Sequence, residues 1–134
     1  MSSSSLQNQV EITRHIMRVL DEWELPGKEI IKLLELPNKV RLRNLDRFRD
    51  DEAFPESQAT LERIEHVAGI ADALRTSFPR NAHMGILWMH TPHRRFQNQP
   101  PLTILSEQGL NGLRMVRSEL DCAFSWNESL SNYK

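Results

Sequence analysis

A single cysteine, Cys122, stands in 134 residues, so no disulfide can close within one chain, which fits a reducing cytoplasm. No apolar run approaches the roughly 20 residues a membrane helix needs. The opening MSSSSLQN lacks the apolar centre of a secretory signal and reads as a loose tail over residues 1–8. Charge of one sign is missing as well. A net charge of −1 argues against a protein that coats nucleic acid indiscriminately, yet leaves room for a small basic surface offset by acids elsewhere. There is no Gly-rich phosphate loop and no Ser-His-Asp signature. His83, His90 and His93 follow an H-x6-H-x2-H rhythm that matches no compact zinc site, and Cys122 beside Asp121 reads as packing at a helix end. The sequence therefore predicts no enzyme, no metal and no cofactor.

Alternating apolar and polar strand runs are also absent, and helical periodicity fills the space. With 39% apolar residues, a chain of this length buries a real core. Ile12, Ile16, Val19, Leu20 and Trp23 share one face of a first helix that Leu25-Pro26-Gly27 stops. A short second helix, KEIIKLLEL, ends at Pro37, and a third is expected from Asn38 as N-cap through KVRLRNLDRF, with Leu42, Leu45 and Phe48 inward. The acidic connector DDEAFPES is the expected domain boundary. A long helix then spans about Gln58 to Ser77 with Leu61, Ile64, Ala68, Ala71 and Leu74 as its apolar stripe. Asn81 caps a fifth helix holding Met84, Ile86, Leu87, Trp88 and Met89. Pro92 and Pro101 bracket a loop, and EQGLNGLRMVRSELD forms a last helix with Leu110, Leu113, Val116 and Leu120 inward. Gly109 and Gly112 each cost roughly 1 kcal/mol inside a helix. Either another backbone approaches closely there, or the helix starts later, near Asn111.

The third segment carries five cations, Lys39, Arg41, Arg43, Arg47 and Arg49, against Asp46 alone. Lys39, Arg43 and Arg47 fall at i, i+4 and i+8. Arginine forks bond guanine edges or phosphates in pairs, and Asn44 can read adenine. Two readings stand side by side: a helix-turn-helix unit with Lys39, Arg41, Arg43, Asn44 and Arg47 on DNA, or a solvated face on which Asp46 and Asp50 pair with Arg43 and Arg47.

From about Leu61 the sequence reads LERIEHVAGIADALRTSFPRN, ILWMHTPHRRFQNQPPLTIL and EQGLNGLRMVRSELDCAFSW. These stretches resemble the Xre/MbcA/ParS family of bacterial antitoxins over about Leu61 to Trp126. The family pattern is a long helix, a Trp-containing helix, a P-N-x-x-L/F-G-G-x-x-P-L-x-x-L loop and a helix opening on Gly-Leu. Trp88, Pro92, Phe96, Pro101, Leu102, Leu105, Gly109 and Leu110 fall in the matching places. The first half is similar to the family's helix-turn-helix region. Two departures stand out: His93 replaces the usual Asn, and Gln97-Asn98 replaces the Gly-Gly pair. Gln adopts the left-handed conformation poorly, so a differently shaped loop is expected.

The resemblance implies an all-α chain with a helix-turn-helix-like three-helix unit over residues 9–54 and a toxin-binding domain with a C-terminal tail over residues 55–134. It implies binding to a RES-domain toxin that degrades NAD, inhibition by occlusion, operator DNA binding and a homodimer, with no chemistry performed by the antitoxin. Expected toxin contacts are Trp88, Arg94, Arg95, Phe96 and Trp126, types that anchor interfaces. Of these, Trp88 and Phe96 suit the core better than an interface. The long helix offers its Ala68/Ala71 stripe to a second copy. A stand-alone helix-turn-helix regulator without a toxin is the competing reading.

Overall fold

The computed structural model describes the backbone of residues 2–131 and the side chains of residues 5–122. Its helices are α1 (Ser2–Glu22), α2 (Gly27–Leu33), α3 (Leu45–Asp50), α4 (Gln58–Ser77), α5 (Ala82–His90) and α6 (Pro101–Ser131). Two short 3-10 turns, Leu42–Asn44 and Arg94–Phe96, join them. Among the described residues there is no strand, only an isolated bridge between His93 and Gln99. The expected all-α class is what the chain adopts. It divides into two compact units, Met1–Glu65 and His66–Lys134.

In the first unit, Ile16, Val19, Leu20 and Trp23 of α1 are buried, as their spacing predicts, and Met17 with them. Ile12, expected on the same face, is 52% exposed. Ile30, Leu33, Leu45 and Phe48 of α2 and α3 complete this core. The helix starts at Ser2, ahead of where the serines' weak propensity places it. Extending an existing helix needs far less than starting one, which accounts for the difference. Helices α1 and α2 end alike. Leu25 N–H donates to Leu20 O and Glu24 N–H to Asp21 O, while Leu36 N–H donates to Ile31 O and Glu35 N–H to Lys32 O. Both ends are Schellman turns with a left-handed glutamate, φ 63° at Glu24 and 53° at Glu35, in the place glycine usually takes.

The third helix departs from expectation. Pro37 O accepts from Val40 N–H at 2.9 Å, and Arg41 is extended at φ −117° and ψ 167°. The Asn44 side-chain oxygen then accepts from Arg41 N–H at 2.7 Å. Asn38 thus serves a turn, a role asparagine also fills, and only six residues, Leu45–Asp50, remain for α3. The i, i+4, i+8 face of Lys39, Arg43 and Arg47 does not form, and Leu42 stays 50% exposed rather than inward. The acidic pairing also differs. Arg49, not Arg43 or Arg47, takes Asp46 at 2.8 Å and grips Asp21 with two bonds of 2.8 and 2.9 Å. That hydrogen-bonded Asp21 carboxylate raises the pKa of the guanidinium.

The connector after α3 packs into the same unit. Phe54 stacks on Phe48 with ring centroids 5.0 Å apart, and its N–H donates to Thr13 Oγ1 at 3.0 Å. Thr13 is 2% exposed and its hydroxyl donates to Gln9 O. Thr13→Val keeps the shape but strands the Phe54 N–H. A loss of about 1–3 kcal/mol is expected from urea unfolding of the full chain. An unchanged midpoint would remove this bond from the fold's support.

In the second unit the buried stripe of α4 is Val67, Ile70 and Leu74, one step around the helix from the expected Ala68 and Ala71, which stay half-exposed. Leu61, expected inward, is exposed. Met89, Phe96, Ile104, Leu105, Leu113, Val116 and Leu120 complete the core. Leu110, expected inward, is only half-buried. Both glycines of α6 have a duty. Gly109 breaks the helix at φ 54° and ψ −122°, a conformation open to glycine alone. A Cβ on Gly112 would stand 2.4 Å from the Ile104 carbonyl oxygen, so the chain before the break and the helix after it lie backbone to backbone.

Candidate functional site

In the second unit, Asn81 caps α5 by accepting from His83 N–H at 3.1 Å. Gly85 and Met89, four residues apart, turn inward, and Gly85 lies against Leu74 and Phe78 of the α4 end. That orientation turns Met84 and Leu87, three residues apart, outward, with Trp88 on the flank between them and the core. Met84 is 42% and Leu87 48% exposed. Trp88 is half-buried because its outer end meets the following loop.

The loop is built on three rings. His93 stacks on Trp88 at 4.7 Å, and Phe96 meets Trp88 edge-on at 6.3 Å. His93 Nε2 lies 2.9 Å from Trp88 O; a carbonyl only accepts, so Nε2 carries the proton. Phe96 is 4% exposed and offers a partner almost nothing. Gln97 and Asn98 are both left-handed, at φ 58° and 63°, and Gln99 N–H donates to Phe96 O at 3.1 Å. Two left-handed residues closed by that bond make a type I′ turn. Gln97 thus adopts the left-handed conformation that its residue type disfavours. The turn keeps a glycine-like path, and side chains carry the strain. Gln97→Gly is expected to raise stability by about 1 kcal/mol, with a smaller gain for Asn98→Gly, as a higher denaturation midpoint. A lower midpoint for Gln97→Gly would show that its side chain, not its backbone, holds the turn.

Of the loop arginines, Arg95 pairs with Glu119 of α6 at 3.0 Å, which gives it a structural partner. Arg94 is exposed and, among the described residues, makes no ion pair. The Trp126 side chain lies outside the described residues. Met84 and Leu87 were not singled out from the sequence. Their signal was the helix AHMGILWMH itself, apolar on nearly every face, which obliges some apolar side chains to meet solvent or a partner.

In the first unit Lys39, Arg41, Arg43 and Arg47 are exposed and Asn44 is half-buried, its side-chain oxygen already engaged by Arg41 N–H. Arg41 and Arg43 line an open depression of about 680 Å³ with Lys28, Ile31, Val40 and Leu42. Lys28 lies on α2 and no sequence spacing links it to the arginines. Among the described residues no group of three or more His, Cys, Asp or Glu is placed to hold a metal ion, and no helix is long and apolar enough to cross a membrane. Cys122 is exposed rather than packed.

Residues 73–122, from the end of α4 through the loop and into α6, match the family model described as the antitoxin Xre/MbcA/ParS C-terminal toxin-binding domain. No curated protein and no solved structure matches the chain.

Proposed function

We propose, from the match of residues 73–122 to the Xre/MbcA/ParS antitoxin C-terminal toxin-binding domain, that this chain is the antitoxin of a type II toxin–antitoxin pair. The toxin is a RES-domain enzyme that degrades NAD. The antitoxin binds it, occludes its active site and does no chemistry of its own. The carrying observation is that an exposed apolar helix face, Met84 and Leu87, lies within the matched segment, which also holds the exposed Arg94. Exposed apolar patches of this kind mark interaction surfaces, and arginine and tryptophan anchor them. Phe96, buried against Trp88, and Arg95, paired with Glu119, serve the loop's structure in this reading.

The first unit, in this reading, binds operator DNA through Lys39, Arg41, Arg43 and Arg47, and the chain works as a homodimer in a reducing cytoplasm. The half-exposed Ala68 and Ala71 offer a close-packing stripe to the second copy. The test is co-expression with the adjoining reading frame. That frame alone is expected to arrest growth, and the chain to restore it. A toxic neighbour that the chain fails to rescue overturns the antitoxin reading.

A further inference from the structure

We infer that the depression formed by Lys28, Arg41 and Arg43 is a clamp for the phosphate backbone of duplex DNA, independent of base sequence. This rests on the DNA-binding part of the reading above and changes its mode, from a helix reading bases to an extended segment holding phosphates. Three observations carry it. The depression is lined by three cations and three aliphatic residues, Ile31, Val40 and Leu42, with no acidic residue among them. Asp21 and Asp46 are held by Arg49, and Glu35 by Arg63, so these three acids are engaged away from the depression. Among the described residues Lys28, Arg41 and Arg43 make no such pair. Finally, Arg41 and Arg43 stand on an extended residue and a 3-10 turn, outside α3.

A base-reading helix presents side chains at helical spacing along one face, and that face is not built here. What is built is a compact positive surface. The guanidinium forks suit phosphate oxygens, and Lys28 adds a point charge from the next element. Arg47 on α3 is exposed as well. Three cations spread over an open depression match a polyanion better than a single small anion. Each phosphate neutralised releases counterions, so the clamp has a salt signature that base contacts lack.

The test compares the full chain with a Lys28→Ala, Arg41→Ala, Arg43→Ala variant. Two probes are used: a mixed-sequence duplex, and the DNA upstream of the protein's own gene. The variant is expected to lose about tenfold or more on both probes alike, and its log–log salt slope to flatten by about two to three. The charge-conserving Lys28→Arg, Arg41→Lys, Arg43→Lys variant should retain the slope, an outcome a merely structural role does not predict. An unchanged slope in the alanine variant, with the wild type binding, overturns the clamp alone. A loss confined to the upstream DNA also overturns it, since the contacts would then be to bases. If the wild type binds neither duplex at low salt, the clamp and the DNA-binding reading fall together, while toxin binding is untouched.

Discussion

Replacing Gly112 by alanine is expected to destabilise the second unit by about 3 kcal/mol, the upper range for forcing extra volume into a packed interior. The added methyl group would stand 2.4 Å from the Ile104 carbonyl oxygen and 3.2 Å from the Leu105 Cα. Those are backbone atoms, so the whole segment ahead of the Gly109 break has to move. Gly69 supplies the contrast. A Cβ there also finds an atom at 2.4 Å, but that atom is the Nε of Arg117, the end of a flexible side chain. Gly69→Ala should therefore cost less than about 1 kcal/mol, helped by alanine's better helix propensity. Urea midpoints of the two variants, measured side by side, separate a backbone clash from a side-chain one. Equal midpoints would mean that α6 does not depend on the close approach at Gly112.

The second large effect concerns binding rather than folding. Met84→Asp together with Leu87→Asp should leave the helix content and melting temperature nearly unchanged, because both side chains already meet solvent. Toxin affinity is expected to fall by about 100-fold or more, since two carboxylates would have to be desolvated inside an apolar contact. Arg95→Ala, which removes the Glu119 pair, serves as the control for indirect damage to the loop and should weaken binding far less. Full affinity in the double variant would move the toxin contact away from α5.

Much of this was legible in the residues. Helical spacing foretold the buried α1 face, and the two glycines marked the break and the close approach in α6. The errors have local physical causes. Asn38 is a good cap residue, but the Pro37–Val40 turn takes it up, and the helix begins only after Asn44, whose side-chain oxygen is engaged by Arg41 N–H. On α4 two apolar stripes run side by side; Leu74 is buried as expected, but packing chose Val67 and Ile70 over Leu61, Ala68 and Ala71. At Gln97 the backbone preference was overridden by the buried Phe96, the His93–Gln99 bridge and the closing hydrogen bond. The Lys28 depression and the partner of Arg95 depend on segments far apart in sequence. Periodicity does not report such meetings.

The most direct measurement is the rate of NAD loss in the presence of the purified toxin proposed above, with and without one equivalent of the full chain. Occlusion predicts that NAD persists when the chain is present and is consumed again when the Met84→Asp, Leu87→Asp variant replaces it. NAD consumed at the same rate with the folded wild-type chain would contradict the account.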